Sequence, residues 1–222
     1  MANSFFSPPP PTVVFGIVGG IGSGKSFTSN EFVAQGVECF SADIVAKTFY
    51  RQPDIRAMFK QRWVNVIDPN GELNPKAIAR IVFAPTNEGS KELEFLNSVF
   101  RPRVLQEFRK WLEQKKIERK EFVILDAPLL FEAHWESVVD YVIFVEASYQ
   151  TREKRVLARG WEKGELERRE ACQISLAIKK SRADFVVKAD HDKSGMEQQV
   201  KTILQTVRKD RSSFFFRKNS AQ

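Results

Sequence analysis

The segment Gly19-Gly20-Ile21-Gly22-Ser23-Gly24-Lys25-Ser26 constrains this chain more than any other. It fits G-x-x-x-x-G-K-[ST] and stands between an apolar run, Val13 to Val18, and a helical pattern. Glycines permit positive φ and close backbone approach, so consecutive N–H groups and a helix N-terminus converge on phosphate oxygens. The pattern therefore implies an anion cradle for ATP built from Gly20, Ile21, Gly22, Ser23, Gly24, Lys25 and Ser26. Lys25 is expected to neutralise the β and γ phosphates while the Ser26 hydroxyl ligates Mg²⁺. The helix after the loop is expected to run to Gln35 and stop at Gly36, a common C-terminal glycine.

Short apolar runs alternate with longer helical patterns, which predicts an α/β fold with a parallel sheet flanked by helices. After Val13 to Val18, the strand candidates are Val37 to Phe40, Phe122 to Leu125, Tyr141 to Val145 and Phe185 to Val187. The stretch between the second and third is far longer than one crossover helix requires, which predicts an inserted helical subdomain. Within it Leu93, Leu96, Phe100, Val104, Phe108, Trp111 and Leu112 recur at three- and four-residue steps. They mark the apolar stripe of one long helix or two joined ones, read here as core packing. Pro102 predicts a kink or break in that stripe.

Hydrophobic residues make up 42% and charged residues 28% of the 222 residues. This balance suits a globular body and excludes wholesale disorder. No apolar run reaches the roughly 18 to 20 residues of a membrane-spanning helix, so no membrane role and a cytoplasmic location are expected. Residues 1–12, with Pro8 to Pro11, read as a floppy leader without a charged n-region. Cys39 and Cys172 show no metal-ligand spacing and are expected to be buried, reduced thiols. The net charge of +7 suits either nucleic acid or a polyphosphate site. Much of the excess lies in Arg152 to Arg169 and in a basic tail, 207–222, where Phe214, Phe215 and Phe216 interleave the charges. The tail reads either as a frayed terminus, the preferred reading, or as an arm for a partner.

Nucleotide binding alone leaves several functions open, but no guanine-reading N/T-K-x-D segment is present. Asp43 follows the second strand, at the end of the sheet that carries the phosphate loop. It reads either as a general base for phosphoryl transfer to an alcohol or as the N-cap of a helix starting at Ile44. Asp126 ends the run Phe122 to Leu125 in the form of a Walker B strand, which implies Mg²⁺ held through water; the bland alternative is a turn cap. Arg152, Arg155 and Arg159 place two or three cations on one helix face just before a polar, lid-like segment, 159–170. Arg159 is the favoured lid arginine, closing over the triphosphate. The competing reading is a solvated face paired with Glu153 or Glu162.

Val18 to Ser26, then Ser41-Ala42-Asp43, then Ala127-Pro128-Leu129-Leu130-Phe131-Glu132, resemble the dephospho-coenzyme A kinase family in order and spacing. Gln173, Lys179, Arg182, Ala183 and Asp184 extend the likeness, which covers about residues 13 to 205. The resemblance implies a P-loop NTPase-type fold of five parallel strands, with a nucleotide core (13–50 and 118–206), an inserted helical CoA domain (51–117) and a lid (159–170). It implies transfer of the γ phosphate of ATP, with Mg²⁺, to the ribose 3′-hydroxyl of dephospho-CoA. Asp43, Lys25 and Arg159 are then catalytic, and Asp43, Arg101, Leu129 and Glu132 face the acceptor. It further implies no nucleic acid partner, and a monomer or weak oligomer. Ser41 stands where the family usually has a first aspartate, Arg101-Pro102 where it tends to have His-Pro, Val18 where threonine is usual, and Ala189 where asparagine is common. A nucleoside or nucleotide kinase of the same architecture is the second enzyme reading, and a nucleotide-gated RNA-binding module using the tail is a third.

Overall fold

The computed structural model describes residues 11–190 and 193–219, with side chains outside the description at 193 and from 212 onward. The leader, apart from its last two residues, and positions 220–222 of the tail lie outside the described residues. Five strands, β1 (Val13–Gly19), β2 (Glu38–Ser41), β3 (Phe122–Asp126), β4 (Tyr141–Glu146) and β5 (Phe185–Lys188), form one sheet in the order β2-β3-β1-β4-β5. The three pairings β1 to β3, β1 to β4 and β4 to β5 are parallel, with Phe15 opposite Ile124 on one side and Tyr141 on the other. All seven residues of β1 are buried. This explains why it reads as an unbroken apolar run: a central parallel strand is covered on both faces. Each expected strand is found within one residue of its expected bounds.

Helices α1 (Lys25–Ala34), α6 (Tyr149–Leu157), α7 (Glu165–Glu170), α8 (Leu176–Ser181) and α9 (Lys193–Asn219) accompany this sheet. Helix α1 ends as expected. Gly36 has φ +84°, its N–H reaches the Val33 carbonyl (2.9 Å), and the Val37 N–H reaches Phe32 (3.1 Å). These two bonds are the paired closure of a glycine-terminated helix. Phe15, Ile17, Phe32, Ile124, Ile143, Val145 and Val187 form the core, and Met196, Val200, Ile203, Leu204 and Val207 of α9 complete it. Each fully buried side chain of this size contributes about 1.5–3 kcal/mol relative to exposure.

The frayed-terminus expectation is corrected where the tail begins. Val207 is fully buried, and Arg208 pairs with Glu121 (2.8 Å) while its guanidinium lies over the Phe122 ring. The apolar stripe of α9 carries on past 206, so the charges at 208 and 211 sit on a docked helix.

The chain divides into two compact units, one of residues up to Cys39 and from Arg119, the other of Phe40–Glu118. The second is helical: α2 (Ala42–Phe49), α3 (Pro53–Arg62), α4 (Pro75–Val82) and α5 (Asn87–Ile117). Its core is aromatic, with Phe40 against Phe108 (5.3 Å), Tyr50 against Phe100 (5.1 Å) and Phe59 against Trp63 (4.7 Å). Side chains cap α4 and α5. Asn74 accepts from the Lys76 and Ala77 amides ahead of α4, and Thr86 accepts from Gly89 ahead of α5. The break allowed for at Pro102 is absent, since α5 runs through it as one helix of 31 residues. Buried Val99, Phe100, Val104, Phe108 and Leu112 hold the helix on both sides of the proline. Arg103 adds a side-chain bond to the Val99 carbonyl (3.0 Å).

Candidate active site

The phosphate loop hangs between the carboxyl end of β1 and the first turn of α1. Gly22 (φ +75°) and Gly24 (φ +100°) take backbone conformations that other residues rarely adopt. A Cβ at Gly22 would lie 2.8 Å from the Arg152 carbonyl, so no side chain fits there. The Ser23 N–H closes the turn onto Gly20 O (3.1 Å), and the buried Ser23 hydroxyl has no hydrogen-bond partner among the described residues. Lys25 Nζ donates to the carbonyls of Gly19 (3.1 Å) and Gly20 (2.9 Å), holding its ammonium group over the loop. Ser26 is exposed in the first turn of α1, where its hydroxyl is accessible.

Two arginines of α6 serve this loop. Arg155 donates to the carbonyls of Gly22 (3.2 Å), Ser23 (2.9 Å) and Ala189 (2.9 Å), bracing the loop from behind. Arg152 is buried and ion-paired through Nη1 with Glu170 Oε1. The same carboxylate oxygen accepts the N–H of Ile21 (3.2 Å). The three-residue spacing of Arg152 and Arg155 is visible in the sequence, but which cation faces the loop depends on how α6 docks. Arg159 lies exposed just beyond α6. Glu170 carried no signal as a loop contact, since it reads as one more charge of a polar segment.

Asp126, at the end of β3, is partly buried and in register with Ile17. Its charge acts on Cys39: burial first, then the Asp126 carboxylate, push that thiol up to about 11. The expectation of two buried thiols is corrected: Cys39 is half-buried, and Cys172 is exposed just beyond the polar helix α7. After β3 the chain turns tightly through Ala127 to His134, with the Leu130 N–H on Ala127 O (3.0 Å). Leu129 is half-buried in that turn. Glu132 is tied to the protein, accepting from Lys179 (2.8 Å) and from the Ile174 amide (3.0 Å). Lys179 is fully buried and also donates to Pro128 O and Gln173 Oε1, both at 3.1 Å. Gln173, Lys179 and Glu132, which stand in separate motifs of the sequence, thus form one cluster.

In the helical unit, Asp43 is exposed in the first turn of α2. The cap reading of Asp43 is corrected. The helix starts at Ala42, and its N-cap is Ser41, whose hydroxyl accepts from Ile44 N (3.4 Å). Serine and aspartate cap helices equally well, so this geometry tolerates Ser41. Arg101 is half-buried in α5.

Beside known proteins, the dephospho-CoA kinase family profile matches residues 13–194. A dephospho-CoA kinase of Enterococcus faecalis is 32% identical over 197 residues, spanning 87% of this chain and 96% of that one. A Thermus thermophilus protein of known crystal structure superposes with a TM-score of 0.75 at 26% identity, covering 89% of this chain and 98% of that one. A dephospho-CoA kinase from Campylobacter jejuni shares the fold with a TM-score of 0.63 at 21% identity, over 90% of this chain and 98% of its own. The chain belongs to the dephospho-CoA kinase family, with a five-stranded P-loop kinase fold.

Proposed function

We propose that this kinase transfers the γ-phosphoryl group of ATP to the ribose 3′-hydroxyl of dephospho-CoA, yielding coenzyme A. The observation that carries this reading is the glycine loop Gly19–Ser26, turned by positive φ at Gly22 and Gly24 and overlaid by the Lys25 ammonium group, in a chain of this family. Lys25 and the loop N–H groups bind the triphosphate and offset charge as the bond to the leaving group loosens. Asp43 accepts the proton of the attacking hydroxyl, a role suited to an exposed carboxylate in the first turn of α2. Arg159, in the 159–170 lid, closes over the phosphates. Residues 51–117 act as the CoA domain, with Arg101, Leu129 and Glu132 on the acceptor side.

Ser26 and Asp126 offer the oxygen donors that Mg²⁺ prefers. Among the described residues no group of three or more His, Cys, Asp or Glu side chains forms a protein-only cage. This fits an ion held mainly by phosphate oxygens. Bound there, Mg²⁺ would neutralise charge on the transferring phosphoryl group. Among the described residues no helix is long and apolar enough to cross a membrane. We place the enzyme in the cytoplasm as a monomer or weak oligomer whose partners are ATP and dephospho-CoA, with no nucleic acid.

The test is a coupled ADP-release assay with dephospho-CoA offered beside adenosine, AMP and pantothenate. Turnover is expected with dephospho-CoA; turnover only with a nucleoside or nucleotide would replace this reading with the other kinase class. Asp43→Asn is expected to lower kcat by about 10²- to 10⁴-fold with little change in ATP binding. Lys25→Ala is expected to weaken ATP use itself. Wild-type kcat in Asp43→Asn would remove that residue from the chemistry.

A further inference from the structure

The pair formed by Arg152 and Glu170 is an unusual tenant of a phosphate loop. A buried guanidinium next to an anion cradle serves a ligand anion well, yet here a carboxylate of the protein takes it. Glu170 Oε1 bridges Arg152 Nη1 and the Ile21 amide (3.2 Å). These are one fixed cation and one loop N–H, the contacts that a phosphate oxygen would seek. The pair presses on the loop itself, since a Cβ at Gly20 would lie 3.0 Å from both Arg152 Nη1 and Glu170 Oε1.

The arrangement leaves bonding capacity unused. Arg152 is only 5% exposed, and its buried Nε donates to no atom of the described residues. Glu170 is more accessible, at 21% of its side chain, and is the last residue of the short helix α7. A carboxylate at a helix C-terminus faces the negative end of the dipole, so this anion is less firmly held than the cation it meets. One turn earlier, Glu167 accepts from the Tyr149 hydroxyl, and the Tyr149 ring lies 5.8 Å from the Arg152 guanidinium. Glu167 and Glu170 thereby bring α7 onto α6 beside the loop.

We infer that Arg152 is a phosphate-binding residue of the nucleotide site, and that Glu170 is a resident anion that competes with the nucleotide for Arg152 and the Ile21 amide. The inference rests on the ATP-binding reading above. Nucleotide entry moves the carboxylate out to solvent and passes Arg152 from carboxylate to phosphate, while Tyr149 and Glu167 keep α7 near. Apparent affinity then scales with the fraction of molecules whose cradle is open, so Glu170 sets the ATP concentration at which the site fills.

The test is calorimetric titration of the full chain with MgATP and, separately, with tripolyphosphate, which carries no adenosine. Glu170→Gln is expected to tighten both ligands by about five- to tenfold, the latter about 1.4 kcal/mol. Arg152→Gln is expected to weaken both by about tenfold or more. Opposite signs are the signature, because a pair that merely stabilises the fold would weaken binding in both variants. Unchanged or weaker binding in Glu170→Gln, or unchanged binding in Arg152→Gln, overturns the inference. Glu170→Asp keeps the charge but falls one methylene short of the Ile21 amide, and carries the same expectation if a neutral variant fails to fold. Wild-type protein that binds no MgATP would overturn the functional reading along with the inference. Wild-type protein that binds MgATP no less tightly than Glu170→Gln overturns the inference alone.

Discussion

Cys39 shows how one side chain reports on its surroundings. It is half-buried near the carboxylate of Asp126, and burial, then that charge, hold its proton up to about 11 from an ordinary value of 9.0. Folding therefore favours the neutral thiol. The stabilisation is complete below pH 9 and is lost as the pH climbs towards 11, because the unfolded chain gives up this proton first. Urea midpoints of wild type and Cys39→Ala are expected to diverge across that window, with wild type losing more. Parallel curves would mean that the thiol does not feel the buried setting. At the same scale, the roles of Arg152 and Arg155 were only half legible. Their spacing announced a charged face, but a helix docked differently would have turned both to water. Nothing in the residues around Glu170 announced that its carboxylate reaches the Ile21 amide, a contact made across 149 positions of the chain.

Helix α5 carries an internal strain that its length conceals. Pro102 is exposed in its middle and offers no N–H to the Ser98 carbonyl one turn back. A proline in a helix interior costs about 3 kcal/mol relative to alanine. Pro102→Ala is expected to stabilise the protein by about 1–3 kcal/mol in urea unfolding, with any change in turnover read separately. A stability that stays level or falls would show that the neighbouring turns already absorb the proline. The apolar stripe from Leu93 to Leu112 was legible as helix, yet the sequence offered equal grounds for a break. Packing of Phe100, Val104 and Phe108 decided for continuity, and such tertiary support has no local signature. The inner strands β1, β3 and β4 were legible to within a residue because both faces of a parallel sheet are covered there and their apolar runs are continuous. The start of α2 was left open by the sequence, because Ser41 and Asp43 are both good caps and lie two residues apart.

For the molecule as a whole, the net charge of +7 left the tail open to several readings. The structure draws its beginning into the core. Deleting 207–222 removes Val207, which is fully buried, and the Arg208 clasp on Glu121, whereas deleting 212–222 spares both. The longer deletion is expected to lower Tm by about 5 °C more than the shorter one, from about 2 kcal/mol of lost burial. Equal Tm values would return 207–211 to the frayed terminus first expected.

The central position of β1 has a dynamic consequence. Its amides lie between β3 and β4, so exchange with solvent requires one of these pairings to open, and slow exchange is expected there. The glycine turn grows directly out of that strand, while α7, with six residues and mostly charged, is expected to open at lower cost. A loop rooted in a fully buried strand is therefore expected to move less than the helices that cover the sheet.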